Sequence, residues 1–222
     1  MVFFPYGSKE IEHLKTRDKV LGQAIERMGM IERGIIPNLF EALISSVVSQ
    51  QISKKAAETV WNRLQTLLGE ISAEKIALAD LEAIQGCGMS MRKAGYIKGI
   101  AAAAQRGEVD FQELPTLSDE EIIQSLSALP GVGVWTAEML LIHSLCRPDV
   151  VSYRDLAIRR GMMNCYGLEE LSKETFEHYR KKYSPYGGGF SVSVGHVLVK
   201  VSPYPYLLRG DEKRICVKRW FP

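Results

Sequence analysis

Several absences narrow the reading of this 222-residue chain before any motif is considered. Its four cysteines, Cys87, Cys146, Cys165 and Cys216, have no short regular spacing. That pattern argues against a disulfide frame or a metal cluster and for reduced thiols in a cytoplasmic protein. No apolar run approaches the roughly 18 residues that a membrane span needs. The start, MVFFPYGSKEIEHLK, lacks the basic segment before an apolar stretch that marks a signal peptide. Charge of one sign is scarce: 28 Lys+Arg against 26 Asp+Glu leave a net +2, so only the distribution of charge could point to a nucleic-acid partner. What remains, 46% hydrophobic and 24% charged residues, is ordinary for a folded domain. The length suits one domain or two tightly joined lobes.

The residues that are present read as helix. Apolar positions at Leu39, Phe40, Leu43, Ile44, Val47 and Val48 follow helical spacing. Ser49-Gln50-Gln51-Ile52 interrupts, and Ser53 is an N-cap candidate for a helix from Lys54 to about Leu68, stopped by Gly69. Further helices are expected over Glu74–Ile84, Met91–Ala104, from the capping box at Ser118 and Glu121 to about Ala128, Val134–Ser144 and Asp155–Tyr166. No region before residue 187 is rich in strands, so the class is all-α. From Gly187 the texture changes: Phe190, Val192 and Val194 alternate with Ser191, Ser193 and Gly195, a period of two, before Pro203 and Pro205.

The most informative segment is Leu129-Pro130-Gly131-Val132-Gly133, between two of these helices. Glycines two apart allow a sharp turn and close approach to another chain. The N–H groups that open the next helix suit a phosphate. Read alone, the pentapeptide fits a phosphate-binding hairpin or a helix connection that needs glycine for its turn. Asp155 stands where the next helix begins and reads as an N-cap. A carboxylate there is kept ionised by the helix dipole, and a fixed anion is what a developing positive sugar would use.

LPGVGVWTAEMLLIHSLCRPDVVSYRDLAIRRG resembles the helix-hairpin-helix (HhH-GPD) DNA glycosylases, as do FEALISSVVSQQISKKAAETVWNRL and the stretch Lys93-Ala94-Gly95-Tyr96-Ile97. The likeness runs from about Phe40 to Gly187 and is nearest to the 3-methyladenine DNA glycosylase II type. The resemblance implies two helical lobes, 37–146 carrying the hairpin and 1–36 with 147–222 carrying the aspartate, with no N-terminal β domain. It implies a monofunctional glycosylase of base excision repair that flips alkylated purines of the 3-methyladenine and 7-methylguanine type out of duplex DNA and excises them by hydrolysis. Asp155 would be catalytic, in a cleft between the lobes. Trp135, Tyr186 and Tyr153 would form the base pocket, an electron-rich face attracting a cationic base. Gln51, or else Gln50, would fill the hole left by the flipped base. Gly131, Gly133, Val134 and Thr136 would meet the DNA backbone. Lys54, Lys55, Arg92, Lys93, Arg159 and Arg160 are further phosphate candidates.

Bifunctional relatives carry a lysine nucleophile two residues after the last hairpin glycine; this chain has Trp135 there, so no Schiff base is expected. Four closely spaced C-terminal cysteines are missing, so no iron–sulfur cluster is expected. A structural Na⁺ or K⁺ held by the carbonyls of Ser127, Leu129 and Val132 is implied by the resemblance alone. The partner would be double-stranded DNA with damaged bases, the protein a monomer, and no cofactor required. Two rivals stand beside this reading: a helix-hairpin-helix DNA-binding protein with impaired catalysis, and a same-fold glycosylase for another purine lesion such as hypoxanthine. The 187–222 tail departs from the family pattern, either through a shifted reading frame near 187–190 or as an authentic replacement of the last helix.

Overall fold

The computed structural model describes residues 2–29 and 31–188. The expected tail therefore lies outside the described residues beyond Gly188. The described chain divides into two compact units, one built from residues up to Ile35 and from Cys146 to Gly188, the other from Ile36–Leu145.

The regular elements of the Ile36–Leu145 unit are all helices. The unit comprises α3 (Leu39–Ser49), α4 (Lys54–Leu68), α5 (Ala73–Leu78), α6 (Leu81–Gly86), α7 (Met91–Gln105), α8 (Asp119–Ser127) and α9 (Val134–His143). Each α3 apolar position read from the sequence is buried, and the helix packs on α4, α7 and α9. Leu43, Ile44, Val47 and Val48 of α3 join Ile97 and Ile100 of α7 and Leu141 of α9, all fully buried. Each such side chain contributes about 2 kcal/mol of apolar burial. Asn38, Ser53, Ser72, Ser90 and Ser118 each accept an N–H of the first turn they precede.

One expected helix is two. The stretch Glu74–Ile84 breaks at Ala79, whose extended backbone (ψ 144°) ends α5 before α6 begins. The Lys98 ammonium, reaching across from α7, donates to the carbonyls of Ile76, Ala77 and Ala79 at 3.2, 2.8 and 2.7 Å. A cation on otherwise orphaned carbonyls at a helix C-terminus stabilises the stop.

The other unit contains α1 (Ser8–Arg17), α2 (Lys19–Met28), α10 (Leu156–Tyr166) and α11 (Lys173–Tyr183). It also holds a short antiparallel ladder that the sequence did not suggest: β1 (Val2–Phe3) pairs with β2 (Gly34–Ile35). Its core gathers Leu14, Leu21, Ile158, Met162, Phe176 and Tyr183. Within that core Asp18 caps α2, accepting from Val20 and Leu21 N–H groups. It also accepts from Lys182 Nζ at 2.7 Å, Tyr183 Oη at 3.1 Å and Tyr166 Oη at 3.2 Å. Tyr166 and Tyr183 hydroxyls are themselves in contact. Burial pushes the Asp18 carboxyl up, but Lys182, the Leu21 N–H and Tyr183 together overcome it and hold it below its usual value. Beside this group, burial pushes the Cys165 thiol up to about 12, so Cys165 is an inert core thiol.

Candidate nucleic-acid interface and carboxylate site

The two hairpin glycines do different work. Gly131 has φ +76°, and a Cβ there would lie 2.2 Å from Cδ2 of Tyr96. Only glycine fits that turn and that contact. Gly133 has φ −98° and is exposed, and a Cβ on it would meet nothing within 4 Å. The fold does not require glycine at 133. It precedes α9 without a side chain to cap the helix, leaving the N-terminal end of the dipole for an outside anion.

Beside this end lies a recess of about 420 Å³ lined by Ser46, Ser49, Gln50, Gln51, Gly133, Trp135 and Thr136. The structure thus brings together both wedge candidates, the tryptophan expected in the base pocket and part of the expected backbone-binding set. Trp135 is 40% exposed. Gln50 and Gln51 diverge. The Gln50 amide donates to the Gly131 carbonyl at 3.0 Å and lies 3.4 Å from Thr136 Oγ1, which ties it to the hairpin. Gln51 is exposed and sits in the left-handed region at φ +59°. Thr136 is buried at 3% exposure, so its backbone rather than its hydroxyl is what the helix end offers. Val134 is half-buried beside it.

Asp155 belongs to the other unit. It is half-buried and caps α10, Oδ1 accepting from Ile158 N–H at 2.8 Å. The N-cap reading and the fixed-anion reading of this residue are therefore one arrangement. Arg33, unnoticed in the sequence, is its charged neighbour: burial lowers the guanidinium pKa, and the Asp155 carboxylate acts in the opposite direction. Nothing in the local pattern could have linked positions so far apart.

Tyr186 meets His13 edge-on, with centroids 5.0 Å apart. Asp149 holds the turn that carries it, accepting from Ser184 Oγ at 2.6 Å and from Gly187 N–H at 3.2 Å. Tyr153 is committed to its own unit. Its hydroxyl donates to Leu171 O, its edge meets Phe176, and Arg159 lies 4.7 Å over its ring. Arg159, a phosphate candidate in the sequence, thus has its guanidinium over Tyr153 and a buried Nε. Lys93, another phosphate candidate, also faces the protein. Its ammonium turns inward to the carbonyls of Val48 and Gln50. Lys54, Lys55, Arg92 and Arg160 remain exposed. Among the described residues no group of three His, Cys, Asp or Glu side chains could hold a metal ion.

Residues 44–185 match the HhH-GPD superfamily of base excision DNA repair proteins. The chain belongs to that superfamily. It is 38% identical to DNA-3-methyladenine glycosylase 1 of Schizosaccharomyces pombe over 73% of this chain and 72% of the relative. It is 36% identical to the DNA-3-methyladenine glycosylase of Saccharomyces cerevisiae over 63% and 52%. Among solved structures, the DNA-3-methyladenine glycosidase from Bacillus halodurans superposes with a TM-score of 0.78 at 33% identity, over 89% of this HhH-GPD chain and 92% of that one. The Schizosaccharomyces pombe 3-methyladenine DNA glycosylase in complex with abasic DNA gives 0.77 at 31% identity, over 86% and 96%.

Proposed function

We propose that this HhH-GPD protein is a monofunctional DNA glycosylase that flips alkylated purines out of duplex DNA and cleaves their N-glycosidic bond with water. The observation that carries the reading is the recess where the uncapped start of α9, the half-exposed Trp135 and the outward Gln51 meet. Relatives that are 3-methyladenine glycosylases, one of them solved on abasic DNA, support the substrate class.

The open helix start at Gly133 receives a backbone phosphate, with Gly131 making the turn and Val134 and Thr136 offering N–H groups. Gln51 fills the space left by the extruded base. The electron-rich face of Trp135 attracts the cationic alkylated purine, and Tyr186 is a second pocket aromatic. Such a base leaves neutral, taking the bonding electrons, so it needs little acid assistance. The Asp155 carboxylate stabilises the positive charge that develops on the sugar and orients the water that adds at C1′. Trp135 stands where lyase members carry their nucleophilic lysine, so no covalent sugar intermediate forms. A monovalent cation on the carbonyls of Ser127, Leu129 and Val132 would brace the hairpin. The buried Ser127 hydroxyl, with no hydrogen-bond partner among the described residues, adds an oxygen at the same turn and fits such an ion.

The test is base release from methylated duplex DNA, with abasic product probed before and after alkali. Release of 3-methyladenine or 7-methylguanine, with strand breaks only after alkali, is the expected result. DNA binding without release would replace this reading with that of a binding protein. Release of hypoxanthine alone would change the lesion.

A further inference from the structure

The loop that carries Gln51 is held in an unfavourable shape by groups outside it. Gln51 has φ +59°, a left-handed conformation that costs a non-glycine residue about 1 kcal/mol or more. It follows directly on the C-terminus of α3, where carbonyls lack helical partners. Lys93 supplies those partners, with Nζ on Val48 O at 2.8 Å and on Gln50 O. The ammonium is half-buried there, and its positive charge complements the negative end of the α3 dipole. Gln50 then joins the loop to the hairpin through Gly131 O.

The same helix also holds the hairpin. Tyr96 backs Gly131, and a Cβ on Gly99 would lie 2.6 Å from Cγ of Pro130. Lys93, Tyr96 and Gly99 recur every three residues, so they share one face of α7. That face grips the wedge loop at one end and the hairpin turn at the other.

We infer that Lys93 is a positioning residue that locks the Gln50–Gln51 loop against the hairpin, so that Gln51 enters the duplex without first having to be ordered. The inference rests on the wedge role given to Gln51 above. An ordered wedge pays its conformational entropy on folding, not on binding. Lys93 need not touch DNA to do this.

The test uses the full chain and a short duplex with 2-aminopurine beside a tetrahydrofuran abasic site, which reports unstacking without any turnover. Hydrogen exchange of the 49–53 amides in the free protein reports loop order separately, and thermal melting confirms that each variant is folded. Lys93→Met keeps the stem and removes the ammonium. It is expected to speed exchange in the loop and to lower the saturating 2-aminopurine signal by about threefold or more. Lys93→Arg, which retains a donor, should recover part of both. Gln51→Ala should lower the signal alone, and adding Lys93→Met to it should lower the signal no further. A parent-like signal in Lys93→Met, with a reduced one in Gln51→Ala, overturns the inference and leaves the wedge standing. Faster loop exchange with an unchanged signal also overturns it, reducing Lys93 to a structural cap. A parent-like signal in Gln51→Ala overturns the wedge and the inference together.

Discussion

Helix α9 starts at Gly133, which has no side chain to cap it, whereas α10 starts at Asp155, whose carboxylate caps it from within the protein. The same partial positive charge is present at both ends. In α10 the chain supplies the anion itself and fixes it in place. In α9 it withholds one, at a position where the fold would tolerate a side chain. The other long helices of the Ile36–Leu145 unit do not share this omission: Asn38, Ser53, Ser90 and Ser118 close α3, α4, α7 and α8. In the function proposed above, the omitted cap leaves room for a DNA phosphate and the aspartate cap doubles as the carboxylate beside the sugar.

The largest expected effect separates the two duties of Asp155. Asparagine caps helices about as well as aspartate, so Asp155→Asn should leave the melting temperature within a few degrees while lowering excision on the order of 10²–10³-fold. Single-turnover base release and thermal melting measured on the same preparation check this. Retained excision in the folded variant would mean that the cap alone explains the residue, whereas a large drop in melting temperature would point to the charge lost beside the buried Arg33.

Next, the two glycines should part company. Gly131→Ala forces a Cβ into Tyr96 at φ +76° and should cost about 2–4 kcal/mol of stability. Gly133→Ala has open space and an ordinary φ and should change stability by less than about 0.5 kcal/mol. Denaturant titration of both variants decides it, and equal losses would erase the distinction between turn glycine and open glycine.

A third helix start sharpens the contrast. Asp18 caps α2 as Asp155 caps α10, but its carboxylate is consumed by Lys182, Tyr166 and Tyr183. Asp18→Asn should cost about 2 kcal/mol without lowering the excision rate of the folded protein. The Asp18 pKa is lowered on folding, so its stabilisation is complete above the unfolded value of about 3.9. It is lost as the pH falls through the lower folded value. Asp18→Asn should remove that part of the acid dependence, read from melts across this range. The smallest effect concerns the opposite end of a helix: Lys98→Met frees the carbonyls at the end of α5 and should cost about 1 kcal/mol, visible as faster hydrogen exchange at 79–81.

Helix starts were legible in the sequence because caps act over three residues: Ser53, Ser118 and Asp155 all stand where local pattern put them. The break at Ala79 was not, because the lysine that stabilises it arrives from α7, 19 residues later in the chain. The β1–β2 pairing joins residues too far apart, in strands too short, to leave a periodic trace. The superfamily was legible from the hairpin, Trp135 and Asp155. What the sequence could not separate were neighbours of like type. Gln50 and Gln51, Gly131 and Gly133, and Lys93 and Arg92 look interchangeable as letters. Only packing shows that one of each pair turns inward.

The most direct test measures Gly133→Ala and Asp155→Asn on one lesion-containing duplex, with affinity and saturating single-turnover rate recorded for each. The account predicts opposite signatures. Gly133→Ala should weaken binding about tenfold, since the added methyl keeps the phosphate from the open helix start, and should retain most of the saturating rate. Asp155→Asn should bind as the parent does and lose the rate. Two variants with the same signature, or an Asp155→Asn protein that still releases the base at the parent rate, would contradict it.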